Sequence, residues 1–189
     1  VFYLNVCRIG RLCGIYFADS TKLAVCHNRR IHSNKVFKGK AARGKTSTGW
    51  FYGLKLFLVI NAFGEIMNAF LTMANVADNH LVTMIKLFSK LKGWAFADKG
   101  FINQKAVEEL LSKGLHLITG IRRNMKNKLV LMEQKILLQK RGVIESVNDI
   151  LKTVCDIEHT RHRSPINALV NLYAGLCSYT FLDRLPSIF

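Results

Sequence analysis

The sequence predicts an α/β fold in which helices pack on a mixed sheet of five strands. Three observations support this prediction: half of the 189 residues are apolar, strand-like runs come first, and helix-like and strand-like runs then alternate. Three strands in a meander followed by alternating helices and strands give a mixed sheet with helices packed on it. The chain is long enough for one well-buried domain and short for two.

The predicted strands are short runs of aromatic and branched residues. A turn at Ala62–Gly64 separates the second from the third, which makes a hairpin plausible on sequence grounds. The five runs are Tyr16–Asp19 with a continuation over Lys22–Val25, Gly49–Asn61, Glu65–Met73, Trp94–Asp98 and Leu115–Ile121.

Apolar residues at helical spacing predict the helices. The first contains Leu81, Met84, Ile85, Phe88 and Leu91 and is closed by Gly93, and a second around Ala106–Leu111 is stopped by Gly114. A third spans Arg141 to Lys152 with a predicted apolar stripe of Val143, Val147, Ile150 and Val154. The run Ile166–Leu182 contains polar residues and predicts a packed helix rather than a membrane span.

The charge balance favours a polyanionic partner. Lys and Arg number 28 against 12 acids, a net charge of +16, so nucleic acid is the leading partner, although a membrane surface or ribosomal RNA would satisfy the same charge. No acid occurs from Ser20 to Gly64, and a basic loop is predicted between Arg29 and Lys45. The aromatic residues Trp50, Phe51 and Tyr52 follow it, and burial is favoured over stacking on bases.

The five cysteines form no C-x-x-C pair and predict free thiols in a reducing compartment, and zinc is set aside. No secretory signal is evident, because Arg8 and Arg11 interrupt the N-terminal stretch.

Three acids stand out by position. Asp19 and Asp98 each end a predicted strand, where α/β folds place ligands, although either alone fits a helix cap or turn. Around a helix, Arg141 lies about 40° and Lys152 about 20° from Glu145, which gives a row of cation, acid and cation. Ordinary pairing on a solvated face would also explain that row.

The row matches a known spacing. The sequence resembles the DDE transposases of bacterial insertion sequences, in particular the group numbered nine-eighty-two, from about Gly14 to Pro186. The segments that carry the resemblance include YFADSTKLAVCHNRR, LTMANVADN, FADKGF, KRGVIESVNDILK and IEHTRHRSP. In that family the third-acid helix has an Arg, three residues, the Glu, six residues and a Lys, which Arg141, Glu145 and Lys152 fit.

The resemblance implies a ribonuclease H-like fold over residues 14–189, with residues 1–13 as the remnant of an N-terminal region. It implies that Asp19, Asp98 and Glu145 are catalytic and bind two Mg²⁺ ions, which Mn²⁺ can replace. These would serve cleavage at a transposon end and strand transfer into target DNA, by a cytoplasmic, nucleoid-associated bacterial enzyme acting on DNA as a homodimer. Magnesium prefers such hard oxygen ligands.

Basic side chains are expected to hold the DNA backbone. The candidates are Arg29, Arg30, Lys35, Lys38, Lys40, Arg43, Lys45, Arg122, Arg123, Lys126, Arg141 and Lys152. The sequence departs from the family pattern at Leu138, where Tyr is common, and at Phe57, where His is common. An inactive DNA-binding remnant of a transposase is therefore the alternative function, and a basic RNA-binding protein is a third.

Overall fold

A computed structural model describes residues 10–121, 131–159 and 162–189. Within these ranges the strands are β1 (Ile15–Cys26), β2 (Ala42–Thr46), β3 (Gly49–Asn61), β4 (Ile66–Met73), β5 (Gly93–Ala97) and β6 (Leu115–Thr119). The α-helices are α1 (Leu81–Leu87), α2 (Gln104–Ser112), α3 (Met132–Gln139), α4 (Gly142–Thr153) and α5 (Pro165–Tyr179). The predicted order of three strands, helix, strand, helix, strand and helices is confirmed, with one added strand.

The sheet is mixed, as predicted. β3 runs antiparallel to β1, and its other edge pairs antiparallel with β2 and then with β4. On the far side of β1, β5 and β6 continue the sheet in parallel register. The five expected strands therefore lie in the order β4, β3, β1, β5, β6. The additional β2 pairs with the first residues of β3, along the same edge of β3 that β4 occupies further on.

Alternating side chains of β1 enter two different cores, one on each face of the sheet. Tyr16 and Ala18 belong to the core covered by α1 and α2, whereas Phe17 belongs to the core covered by α4 and α5. The molecule therefore has a central sheet with helices on both faces. This arrangement makes the central strands continuously apolar: Leu56 to Ile60 of β3 are all almost fully buried.

Several boundaries differ from the sequence prediction. β1 continues through Asp19 to Cys26, so Asp19 lies inside a strand and not at its end. α1 ends at Leu87, well before Gly93, and Gly93 instead begins β5 with a φ of +110°. A side chain at Gly93 would meet the backbone of Gly14, which explains why the chain has glycine at this close approach.

The segment between β1 and β3 is not the irregular loop that its composition predicted. It contains a 3₁₀ turn (Asn28–Arg30) and β2. A small third core lies beneath it, in which Phe37 packs with Val25 and Tyr52, and the Tyr52 hydroxyl donates to the Phe37 carbonyl at 3.2 Å. Phe37 and Ala41, with the partly buried Ile31 and Val36, thus pack the segment onto the sheet.

The C-terminal run forms α5, confirming a packed helix. Ser164 caps it by accepting a hydrogen bond from the Asn167 amide, and Pro165 occupies its first turn. Among the described residues, no helix is both long and apolar enough to cross a membrane. Cys13, Cys26, Cys155 and Cys177 are free thiols.

Candidate active site

Two aspartates directly follow the last paired residues of the neighbouring parallel strands β1 and β5. β1 and β5 pair in register from Ile15 with Trp94 to Ala18 with Ala97. Asp19 follows Ala18, and Asp98 follows Ala97. Neighbouring strands lie about 4.8 Å apart, so the register sets these two carboxyl-bearing residues side by side.

Neither aspartate serves the simpler structural role that its position suggested. Asp98 is exposed and precedes a 3₁₀ turn (Lys99–Phe101), but its side chain makes no capping hydrogen bond. Asp19 lies within β1 opposite Leu58 of β3, where no turn forms. Both carboxyl groups are therefore available for a role other than local capping.

Helix α4 carries the third acid beside this pair. Ile144, Val147 and Leu151 are fully buried in the core that also contains Phe17 of β1. Glu145 follows Ile144 and so lies at the rim of that packed face, with 61% of its side chain exposed. Its carboxylate accepts a hydrogen bond from the Arg141 guanidinium at 2.9 Å.

The apolar stripe predicted for this helix was partly wrong. Val147 is buried and Val143 and Ile150 are partly buried, but Val154 is 66% exposed. The packed face is centred on Ile144, Val147 and Leu151, because α4 contacts β1 with that side. Glu145 therefore lies at the edge of the core and not, as predicted, on the side of the helix opposite the core.

Electrostatics connect the three acids. Burial is the main reason that the pKa of Asp19 is raised to about 6. A hydrogen bond from the Ser20 backbone and the charge of Arg141 lower that pKa, and the charges of Glu145 and Asp98 raise it. Asp19 is thus close enough to both other acids to respond to their ionisation.

The donor atoms suit a hard divalent cation, since all three residues supply carboxylate oxygens. Across the described ranges, however, no three His, Cys, Asp or Glu side chains are grouped closely enough to hold a metal ion. The Arg141 contact occupies one oxygen of Glu145. The arrangement is therefore a pair of neighbouring aspartates with a third, mostly exposed acid at the rim that pairs with Arg141.

Lys152, the other cation of the predicted row, has a different partner. Its ammonium group pairs with Glu158 at 3.1 Å, and the second oxygen of Glu158 accepts a hydrogen bond from the Ala24 amide of β1. Lys152 thus helps to attach the end of α4 to the sheet. The predicted spacing is present, but only Arg141 contacts Glu145 directly.

Two polar features near the acids were missed by sequence reasoning. Asn148 is 7% exposed and donates its side-chain amide to Asp19 Oδ2 at 3.0 Å. Its position one helical turn after Glu145 was the only available indication. Because the other residues of that buried face are apolar, the sequence did not otherwise indicate a polar contact from it.

The second feature is an ion pair on the other face of β1, between buried Lys55 and partly exposed Asp78. The Lys55 ammonium contacts Asp78 Oδ1 at 3.0 Å and the Val76 carbonyl at 2.9 Å. The Ser20 hydroxyl donates to the same Asp78 oxygen at 2.8 Å. Asp78 therefore ties Ser20, the residue after Asp19, to β3. Asp149 is exposed on α4.

The basic segment presents seven cations to solvent, all of them exposed: Arg29, Arg30, Lys35, Lys38, Lys40, Arg43 and Lys45. None of the seven pairs with an acid of the described residues within salt-bridge distance. Phe51 and Tyr52 are buried, as predicted, whereas Trp50 is 58% exposed and lies under the Lys45 ammonium at 5.7 Å. The candidates Arg122, Arg123 and Lys126 fall outside the described residues.

Comparison with solved structures supports the fold. The chain is similar to a piggyBac transposase in a synaptic complex with hairpin DNA, with a TM-score of 0.55, 11% identity and coverage of 89% of this chain and 46% of that one. It also matches a simian T-cell lymphotropic virus intasome in complex with a PP2A regulatory subunit, with a TM-score of 0.49, 14% identity and coverage of 94% and 52%. The chain spans about half the length of each. The fold is ribonuclease H-like.

No curated protein sequence matches the chain. Residues 9–165, however, match the family described as "Transposase DDE domain". That range contains β1 through α4 and so includes all three acids and the basic segment. The match covers most of the sequence, and the chain belongs to the family of transposase DDE domains.

Proposed function

We propose that this chain is the catalytic core of an insertion-sequence transposase of the group numbered nine-eighty-two, with Asp19, Asp98 and Glu145 as its metal-binding carboxylates. The observation that carries the proposal is the parallel register of β1 and β5, which makes the two aspartates neighbours. The influence of Glu145 and Asp98 on the pKa of Asp19 supports adding the third acid to the same site.

In this proposal the two aspartates hold divalent cations at the sheet, and Glu145 completes the site when its side chain leaves Arg141. When bound, two Mg²⁺ ions supply Lewis-acid stabilisation of charge on both sides of the reacting phosphate. The side chain of Glu145 is free to make this change because most of it is exposed. Arg141 braces the acid while the two are paired, and once released it can hold a DNA phosphate.

The seven exposed cations of the basic segment are proposed as a second DNA contact. They begin where β1 ends and continue through β2, and nothing acidic in the described residues neutralises them. Cationic side chains of this kind hold the phosphate backbone without reading sequence. The proposed partners are transposon-end and target DNA, with a homodimer as the assembly and the bacterial cytoplasm, at the nucleoid, as the location.

The test is nicking of supercoiled plasmid in Mg²⁺ or Mn²⁺, because it does not require the transposon ends to be known. We expect wild type to nick the plasmid and both Asp98→Asn and Glu145→Gln to be inactive while binding DNA as well as wild type does. Glu109→Gln is the matched control for Glu145→Gln. Glu109 lies on α2 and also forms an i,i+4 ion pair, with Lys113. We expect this control to nick normally.

Equal nicking by wild type and Asp98→Asn would contradict the assignment of the acids. The alternative function, an inactive DNA-binding remnant, is favoured by one observation: Glu145 pairs with Arg141, and the acids do not group around a cation position in the described residues. Salt-sensitive DNA binding without nicking by any variant would support that alternative. Preference for structured RNA over duplex DNA would contradict both.

A further inference from the structure

Asn148 connects the helix that carries Glu145 to the strand that carries Asp19. Its side chain lies on the packed face of α4, 7% exposed, between residues that form the core. The amide nitrogen donates to Asp19 Oδ2 at 3.0 Å, across 129 residues of sequence. It is the direct polar contact between these two elements at the level of the acids.

The carbonyl half of the same amide has no hydrogen-bond partner in the part of the chain that the structure describes. Asn148 Oδ1 is buried and accepts no hydrogen bond from the described residues. An unpaired buried acceptor is unfavourable, so an apolar residue of similar size would suit this face of α4 better. Folding alone therefore does not account for an asparagine here, and its useful contact is the hydrogen bond to Asp19.

That hydrogen bond fixes one oxygen of the carboxylate. The amide donates to Asp19 Oδ2, and the Ser20 backbone gives the same carboxyl group a further hydrogen bond. Partners of metal-ligating carboxylates orient their ligands in this way, and their loss commonly weakens metal affinity by about 10- to 100-fold. An amide suits the position better than a cation, because it orients the carboxylate without cancelling the charge that a metal needs.

We propose that Asn148 is a positioning residue that orients the carboxylate of Asp19 for a divalent cation and sets α4, with Glu145, in place beside it. This inference rests on the proposed function, since it requires the acids to bind metal. It assigns Asn148 no contact with the metal or with DNA. The residue acts through Asp19.

The test measures Mn²⁺ affinity and metal-free stability on the same full chain. Mn²⁺ alone is the probe, with its dissociation constant from electron paramagnetic resonance titration and the melting temperature from circular dichroism. The variants are Asn148→Leu, which fills a similar volume without the amide, and Asn148→Ala, which cannot clash if leucine does not fit. Asp149→Asn is the matched control, because Asp149 is the next residue on α4 but is exposed.

We expect both Asn148 variants to bind Mn²⁺ about tenfold more weakly than wild type and Asp149→Asn to bind it equally well. Without metal, Asn148→Leu is expected to melt no lower than wild type, because the unpaired acceptor is gone. A residue with a merely structural role would not separate these two readouts. Wild-type Mn²⁺ affinity in both variants would overturn the inference and leave the proposed function intact. Failure of wild type to bind Mn²⁺ would contradict the proposed function and the inference with it.

Discussion

The pKa of Asp19 is raised by some of its surroundings and lowered by others. A strand position half-buried against α4 disfavours its charge, and two neighbouring acids add to that effect. Only Arg141 and the Ser20 backbone counter it among the causes of its shifted pKa. The carboxyl group therefore takes up a proton near pH 6 when no cation is bound.

This raised pKa predicts a pH dependence of the metal-free protein. The folded state binds the Asp19 proton more tightly than the unfolded state does, so the stability that protonation confers is present below about pH 4 and is lost as the pH rises through about 6. Relative to Asp19→Asn, wild type should lose about 2 kcal/mol between about pH 4 and 6, about 3 kcal/mol in total by about pH 7, and then remain constant. Urea unfolding of both proteins at a series of pH values measures the difference.

Asp149→Asn is the control for that series, since it removes an exposed carboxylate from α4. Its stability difference from wild type should stay nearly flat between pH 4 and 6. A flat difference for Asp19→Asn as well would mean that Asp19 titrates normally and that the three acids are not coupled.

At this scale the sequence predicted the acids and not their supports. Asp19, Asp98 and Glu145 could be singled out because the segments around them resemble a known family; predicted strand ends and the cations beside Glu145 alone also fitted ordinary structural roles. The contacts of Asn148 and of the Lys55–Asp78 pair could not be predicted in this way, because the interacting residues are far apart in sequence. Such contacts depend on which strands become neighbours.

At the scale of elements, the Lys55–Asp78 ion pair joins three segments beneath the site. Lys55 comes from β3, Ser20 from β1 and Asp78 from the turn before α1. Lys55 is 8% exposed, so its charge has little access to water. Removing one member leaves the other without its partner in a poorly solvated position.

We therefore predict that Lys55→Met lowers the free energy of unfolding by about 2 kcal/mol. Lys22→Met is a closely matched control: Lys22 faces Lys55 in the β1–β3 register, but it makes only an exposed hydrogen bond to Thr48. Its effect should stay within about 0.5 kcal/mol. Denaturant unfolding measures both, and equal effects would show that the ion pair contributes no net stability.

The basic segment shows where prediction from composition failed. Glycines and cations suggested a loop, yet β2 pairs with β3 and Phe37 is buried beneath it. β3, which pairs with β2, begins only a few residues after it. The buried contacts of Phe37 are with Val25 and Tyr52, which lie outside the basic stretch, so the composition of the stretch could not predict them. The cations are consequently displayed on a folded surface.

We predict that neutralising Lys38, Lys40 and Arg43 together to glutamine reduces the slope of log affinity against log salt by up to about three units, because each phosphate contact contributes about 0.9. Titration of duplex DNA at several salt concentrations, followed by fluorescence anisotropy, gives the slope. The control neutralises three other exposed cations, Lys90, Lys92 and Lys105.

An equal loss of slope in the control would mean that only net charge matters. An unchanged slope in the basic-segment variant would mean that these residues do not contact phosphates.

At the scale of the whole molecule, the mixed sheet brings distant residues of the chain together. Order and periodicity of the apolar runs were enough to predict the class of fold and five of the strands, since those patterns follow directly from burial. Boundaries were less predictable: β1 runs on past Asp19 because β3 continues beside it as far as Cys26. The length of a strand thus depends on the strand that pairs with it, and the local sequence does not identify that strand.

The same topology explains why the candidate site lies at the centre of the sheet. β1 is the strand with an antiparallel neighbour on one side and a parallel neighbour on the other. The parallel pairing aligns Asp19 with Asp98, and the helix after the sheet returns to cover the face of β1 that carries Asp19. The family match extends over all of these elements.

Anomalous diffraction at the manganese edge, from crystals of the wild-type chain grown with Mn²⁺, locates the bound cation and so tests the assignment of the three acids. We predict anomalous density between the carboxylates of Asp19 and Asp98, with Glu145 turned away from Arg141, and none at that position in Asp98→Asn. Manganese bound elsewhere, or an unchanged Arg141–Glu145 pair with no density beside Asp19, would contradict it.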